Sequence, residues 1–181
     1  MPKSALKKIR DNLPKLKGNL KAINALEVLV GVPAAKTARK DGTTNASLAM
    51  IHDTGSPARN IPARPFMKPG IEAAKPEIVK AMKEGAVEGK TRTALTKAGF
   101  AAQTSIKAVI TAGIPPELKP STIANRYRQR KTKGQRKGEK HYKKLLGEGM
   151  AAKEAQSAAG LIPLVNTGAL LNSITYVIKE K

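Results

Sequence analysis

A seven-residue run near the front of the chain, Ile61-Pro62-Ala63-Arg64-Pro65-Phe66-Met67, leaves its backbone very few conformations. Each proline fixes its own φ and pushes the residue before it toward β or polyproline geometry, so the run is a stiff, extended strap. One arginine and one aromatic ring project from it. About a hundred residues later a second segment runs from Pro163 to Ile174. It reads as a turn in which Asn166 or Thr167 caps a short helix through Ala169, Leu170 and Leu171, ahead of the β-branched strand Ile174-Thr175-Tyr176-Val177-Ile178. Gly168 supplies a backbone conformation that other residues resist. Parts of this kind position surfaces rather than break bonds.

Between and around these segments the periodicity alternates between helix and strand. Leu6, Ile9, Leu13, Leu16, Leu20 and Ile23 recur every three or four residues with lysines between them, which predicts an amphipathic helix. Pro14 inside it predicts a kink or a restart near Asn12. Two roles compete for the apolar stripe, a membrane surface and packing on the helix's own domain, and plain Leu and Ile favour packing. Leu26 to Val32 predicts a buried strand ended by Gly31 and Pro33. Asn45 is placed to cap a helix through Leu48, Met50 and Ile51 that Gly55 ends. From Pro69 to about Ala112 an alanine-rich pattern predicts one long helix or two, with Gly85 and Gly89 as sites of a break or of close backbone approach. Gly113 and Pro115-Pro116 stop it. The predicted architecture is α+β: a small, mostly antiparallel central sheet with a long helix and the N-terminal helix packed on it, plus a basic extended arm. The expected divisions are residues 1–25 for the N-terminal helix, 26–114 with 161–181 for the core, and 115–160 for the arm.

The arm is defined by charge. The chain carries a formal net charge of +21 over 181 residues. From Lys119 to Lys144 eleven basic side chains face one carboxylate, Glu139, so nearly half the net charge sits in one segment. Ser121 is placed to start a helical piece, after which like charges at that density repel one another and predict a mobile arm that meets an anionic surface, either DNA or acidic protein. Arg126, Arg128, Arg130, Lys131, Lys133, Arg136 and Lys137 are its candidate contact residues. Tyr127 and Tyr142 are placed to stack on bases or to anchor against protein. Without a base-reading motif, sequence-specific recognition is not expected. A bland reading of the tract as a solvated loop does not account for so much charge.

Catalysis has little to stand on. There is no cysteine, which rules out disulfides and thiolate zinc sites. His52 and His141 are far apart, with no second ligand at metal spacing, and Asp53 beside His52 does not face it on a helix. Lys133-Gly134-Gln135-Arg136-Lys137-Gly138 lacks the ending of a phosphate loop. No catalytic, metal or cofactor residue is therefore expected. No apolar run reaches the roughly 20 residues of a membrane helix and no signal pattern is present, so the expectation is a soluble, non-enzymatic protein.

Taken in order, Val28-Leu29-Val30-Gly31-Val32, Ile51-His52-Asp53-Thr54-Gly55, the strap and the Asn166-Thr167-Gly168 turn with its final strand resemble a family. The pattern is similar to the tail-completion or head-tail joining proteins of tailed bacteriophages, of the lambda Z and P2 S type. The likeness covers most of residues 26–72 and 161–178. Family members commonly carry an acidic residue and an aromatic where this chain has His52 and Asp53. The resemblance implies a structural virion protein forming a closed ring, six-fold by analogy, at the neck, with assembly in the bacterial host cytoplasm. It implies contacts with itself, with terminator, tube or connector proteins and, for the arm, with packaged DNA. It places Pro62, Arg64, Pro65, Phe66, Asn166, Thr167 and Gly168 at the subunit interface, Arg64 pairing with a neighbour's carboxylate and Phe66 filling an apolar pocket. From the residues alone, Arg64 and Phe66 equally suit stitching the strap to its own domain, and Thr167 and Gly168 suit local turn architecture. Tail terminator and connector roles stay open within the family, and a nonspecific basic nucleic-acid-binding protein stays open outside it.

Overall fold

The computed structural model describes residues 3–34, 42–129 and 136–181, with side chains from Asn12 onward. The chain is α+β, rich in helix with one small sheet. Its elements are α1 (Lys3–Asn24), β1 (Leu26–Gly31), α2 (Asn45–Thr54), α3 (Met67–Glu88), α4 (Thr91–Ala112), α5 (Pro120–Gln129), α6 (Lys137–Gly147), α7 (Ala152–Ala158), α8 (Ala169–Ser173) and β2 (Thr175–Glu180). They form two compact units. Unit 1 takes Met1–Gly31, Lys68–Ile106 and Ile174–Lys181; unit 2 takes Val32–Met67 and Lys107–Ser173. The divisions expected from composition therefore lie elsewhere, because unit 2 combines the strap region with the basic segment.

In unit 1, β1 and β2 pair antiparallel from Leu26 opposite Glu180 to Gly31 opposite Thr175. Alternation sends Leu26, Val28, Val30, Tyr176 and Ile178 to one face and Glu27, Leu29, Val177 and Lys179 to the other. A Cβ at Gly99 of α4 would run into the Tyr176 ring. β1 is less buried than expected: Leu29 is 45% exposed, as is Val177 opposite it on β2. Among the described residues the sheet has only these two strands.

The helical region splits in two at Gly89, whose φ of +76° only glycine adopts cheaply. Its N–H closes onto the Gly85 carbonyl at 2.9 Å, and Asn19 of α1 donates to the Ala86 carbonyl at 2.8 Å. Gly85 serves instead for close approach. α3 and α4 run antiparallel, with Gly70, Ala74, Ala81 and Gly85 facing Ala94, Leu95, Ala98, Ala102 and Ile106 across a seam of small buried residues. A Cβ at Gly70 would lie 2.6 Å from the Ile106 Cα. α1 is continuous through Pro14, without a restart at Asn12. It packs against β1 and buries Ile23. Yet Leu13, Leu16 and Leu20 stay 45, 37 and 50% exposed, so most of the described stripe is not consumed by the fold.

In unit 2, Thr44 rather than Asn45 caps α2, its Oγ1 accepting from the Ser47 N–H at 3.0 Å, because the helix begins one residue early. Gly55 ends it with φ +79°. The expected extended arm is corrected more substantially: apart from 130–135, which lie outside the described residues, it consists of α5, α6 and α7 with short connections. Ile123 of α5, Tyr142 and Leu145 of α6, Ala155 of α7 and Leu161 form one buried cluster. Tyr142 and Leu145 recur at three-residue spacing among the lysines, which keep their charges at the surface while one helix face turns inward.

Replacing Gly70 by alanine is expected to lower unfolding stability by roughly 1–3 kcal/mol, since the new methyl meets backbone that cannot swing aside. Gly18→Ala, in the open interior of α1, is expected to raise it by about 0.5–1 kcal/mol. Urea unfolding of the two variants checks both signs.

Candidate functional site

The candidate site lies wholly in unit 2. The strap runs extended between an isolated bridge, Ser56 to Ile61, and the start of α3. Asp53, at the end of α2, accepts from the Phe66 N–H at 2.7 Å and the Met67 N–H at 3.0 Å. A carboxylate thus meets the positive end of α3, satisfying two amides that have no partner within the helix. Arg64 is 7% exposed. Its Nε and Nη2 donate to the Pro116 carbonyl at 3.0 and 2.6 Å, and Nη2 also reaches the Glu117 carbonyl at 3.3 Å. Burial lowers the Arg64 pKa, an effect that the nearby Glu117 charge opposes. The Glu117 carboxyl is itself held below the usual range, first by its own backbone N–H and then by Lys153.

Two further buried polar side chains hold neighbouring loops. Gln156 pairs with both backbone groups of Leu118, accepting from its N–H at 2.9 Å and donating to its carbonyl at 3.0 Å. Arg126, 8% exposed, donates from Nη1 to the Val165 carbonyl at 3.1 Å and to the Ile162 carbonyl at 3.4 Å. Those carbonyls bracket the turn Ile162-Pro163-Leu164-Val165, closed by a Val165 N–H to Ile162 bond of 3.3 Å. Leu164 sits there at φ +67°. Proline at the second position and a positive φ at the third define a type II turn, where glycine is the usual occupant. A leucine in that conformation costs about 1 kcal/mol or more.

Arg64 and Arg126 line one cleft of about 480 Å³. Asn60, Ile61 and Pro62 of the strap region form one side, and α5 contributes Thr122, Asn125, Arg126 and Gln129. Leu48 and His52 of α2, Glu117, Leu118 and Lys119, and Leu164, Asn166 and Leu170 also line it. Asn60 has φ +52°. The two non-glycine residues of positive φ among the described residues, Asn60 and Leu164, thus both line this cleft.

Of the sequence-derived site residues, the cleft gathers Pro62, Arg64, Asn166 and Arg126. Pro65 is exposed and Phe66 fully buried. Of the two roles open to Arg64 and Phe66, the one seen is internal: the guanidinium meets backbone carbonyls of its own unit, and Phe66 is fully buried within the chain. Thr167 accepts from the Ala169 N–H at a long 3.4 Å, and Gly168 takes φ +77° in the turn. Arg128 is exposed and bonded to Asn125 one turn back, and Lys137 is exposed. Arg130, Lys131 and Lys133 lie outside the described residues. Arg136 stands 5.0 Å from the Tyr127 ring centre and the Lys143 ammonium 4.6 Å, so this ring is held beside two cations. Tyr142 is 4% exposed, which removes it as a base-stacking surface. Among the described residues no three potential metal ligands cluster, and no helix is long and apolar enough to cross a membrane. Leu164, Asn60, Gln156 and the capping role of Asp53 escaped the sequence reading. Only Pro163, a common second residue of type II turns, carried a local hint.

The chain matches no protein-family model, and comparison with curated proteins and with solved structures returns no match.

Arg64→Met keeps the volume and removes every donor, leaving the Pro116 carbonyl without its guanidinium; a loss of about 2–3 kcal/mol is expected in urea unfolding. Arg64→Lys is expected to recover only part of this, because one ammonium cannot reproduce the planar fork. Asp53→Ala is expected to cost about 1 kcal/mol through the lost cap.

Proposed function

We propose that this chain is a structural protein of a tailed-bacteriophage virion that forms a ring at the neck or tail end and completes the tail for head-tail joining. The sequence resemblance supplies the identity of the assembly, and the surface of unit 1 carries the argument for self-association. A monomer gains nothing by leaving Leu13, Leu16, Leu20 and Val87 exposed, the last at 72%, together with the cross-strand pair Leu29 and Val177. Scattered exposed leucines are ordinary, but a helix stripe and a sheet face left exposed together are what neighbouring subunits complete. A surface patch that meets a different patch on the next copy closes into a ring when the rotation permits. The exposed Pro65, Asn166 and Thr167 remain candidate contacts; Arg64 and Phe66 act from within.

A second reading, nonspecific nucleic-acid binding, is favoured by the outward lysines and arginines of α5 and α6, among them Arg128, Lys137, Lys140 and Lys144. In the neck assembly the same cations would meet packaged DNA or an acidic ring.

Light scattering on the purified protein at low and high salt, with and without duplex DNA, separates the two. A discrete cyclic oligomer that persists at high salt is expected, because apolar contacts respond little to ionic strength whereas phosphate contacts weaken steeply. The double variant Leu29→Lys, Val177→Lys is expected to reduce it to monomer while keeping its helical circular dichroism. A wild-type monomer at every salt that coats DNA only at low salt would overturn the assembly proposal.

A further inference from the structure

We infer that the unit 2 cleft is a docking site for an extended segment of an acidic partner protein, one in which carboxylates alternate with aliphatic side chains. This inference goes beyond the ring assembly and does not need it, since every residue invoked belongs to unit 2.

Four observations converge. The first is size: about 480 Å³ accommodates a few side chains of an extended segment, not a folded domain. The second is charge. The N–H groups of Arg64 meet carbonyl oxygens, which satisfy its hydrogen bonds yet bring no formal negative charge. Lys119 adds another cation to the lining, while the single carboxylate there, Glu117, is shared between Arg64 and Lys153, the latter at 3.5 Å. A guest carboxylate would be attracted into partly desolvated, electropositive surroundings. The third is the wall: Leu48, Ile61, Leu118 and Leu164 offer aliphatic surface beside those cations, so the cleft suits a guest that is acidic and apolar by turns. The fourth is strain. Asn60 and Leu164 hold positive φ, and the second does so at a turn position where glycine would serve the backbone better. What leucine adds there is a side chain facing the cleft.

Nucleic acid fits less well, because no Phe, Tyr or Trp ring lines the cleft, His52 being its one ring, and the two tyrosines of the basic segment are otherwise engaged, one beside two cations and one in the core. A second copy of this chain fits poorly too. It carries thirteen Asp and Glu, none within three positions of another and so none in the alternation required, within a chain of net charge +21. The acidic segment is therefore supplied by a different protein.

The test uses the full chain and a short fluorescent peptide of alternating glutamate and leucine, read by anisotropy, against the same peptide with glutamine for glutamate and against a single-stranded oligonucleotide. The glutamate peptide is expected to bind at least about tenfold more tightly than the glutamine one. Leu164→Gly is expected to raise the melting temperature by a few degrees yet weaken peptide binding about tenfold, a combination that a purely structural leucine would not give. Thr122→Glu places a carboxylate on the cleft in the first turn of α5, where the helix tolerates it; it too is expected to weaken binding about tenfold with the fold intact. Equal binding of both peptides, or peptide binding unaffected by both variants, would overturn the inference. So would an oligonucleotide that displaces the peptide and is itself lost from Leu164→Gly.

Discussion

Unit 2 depends on a guanidinium that bonds to backbone rather than to a carboxylate. Arg64, almost fully buried, closes the strap onto the Pro116 and Glu117 carbonyls. The unit joins α2, the end of α4, α5, α6, α7 and α8 through irregular connections, so many of its backbone amides and carbonyls lie outside regular structure and need partners from elsewhere. Arg64, Gln156, Arg126 and Asp53 each answer one such demand, reaching across 13 to 53 positions of sequence. Charge-assisted bonds of this kind are the stronger ones, and leaving a buried acceptor unmet costs more than making the bond gains.

The same choice of partner explains the cleft. Had Arg64 been neutralised by a buried carboxylate, the strap would be as well fastened and the cavity beside it electrically quiet. Carbonyl partners fasten the strap and leave the positive charge in place. Arg126 does two things at once: from α5 it bonds carbonyls on both sides of the Leu164 turn, and it stands in the cleft lining. A turn under conformational strain is thus tied down by the charged group whose cleft it shapes. Unit 1 is built by other means, a seam of glycine and alanine that brings α3 and α4 together at short range. That economy of side chains leaves a modest core and considerable apolar surface outside it.

Much was legible in the residues. Gly85 and Gly89 as sites of a break or of close approach, Gly55 as a helix end, the antiparallel return of the last strand, and the α+β class all follow from local chemistry that acts at short range; which glycine did which does not. The basic segment was misread as an extended arm because its net charge was weighed over its periodicity. Ile123, Tyr142 and Leu145 are few, but they fall on inward faces and find Ala155 and Leu161 waiting. The N-terminal stripe was legible as a helix, but not its exposure, because a sequence shows which side is apolar and not whether anything covers it.

By itself the sequence determined the stiffness of the strap, the helices outside the basic segment, and the concentration of positive charge, since each depends on φ preferences, spacing and composition within a few residues. Only the tertiary structure decided which acceptors Arg64 and Arg126 would find, that Asp53 would cap a helix thirteen residues on, and that strap, α5 and the Leu164 turn would enclose one cleft. Those outcomes are pairings between distant segments. They are set by which surfaces pack after the chain has folded, and no local pattern of residues encodes them.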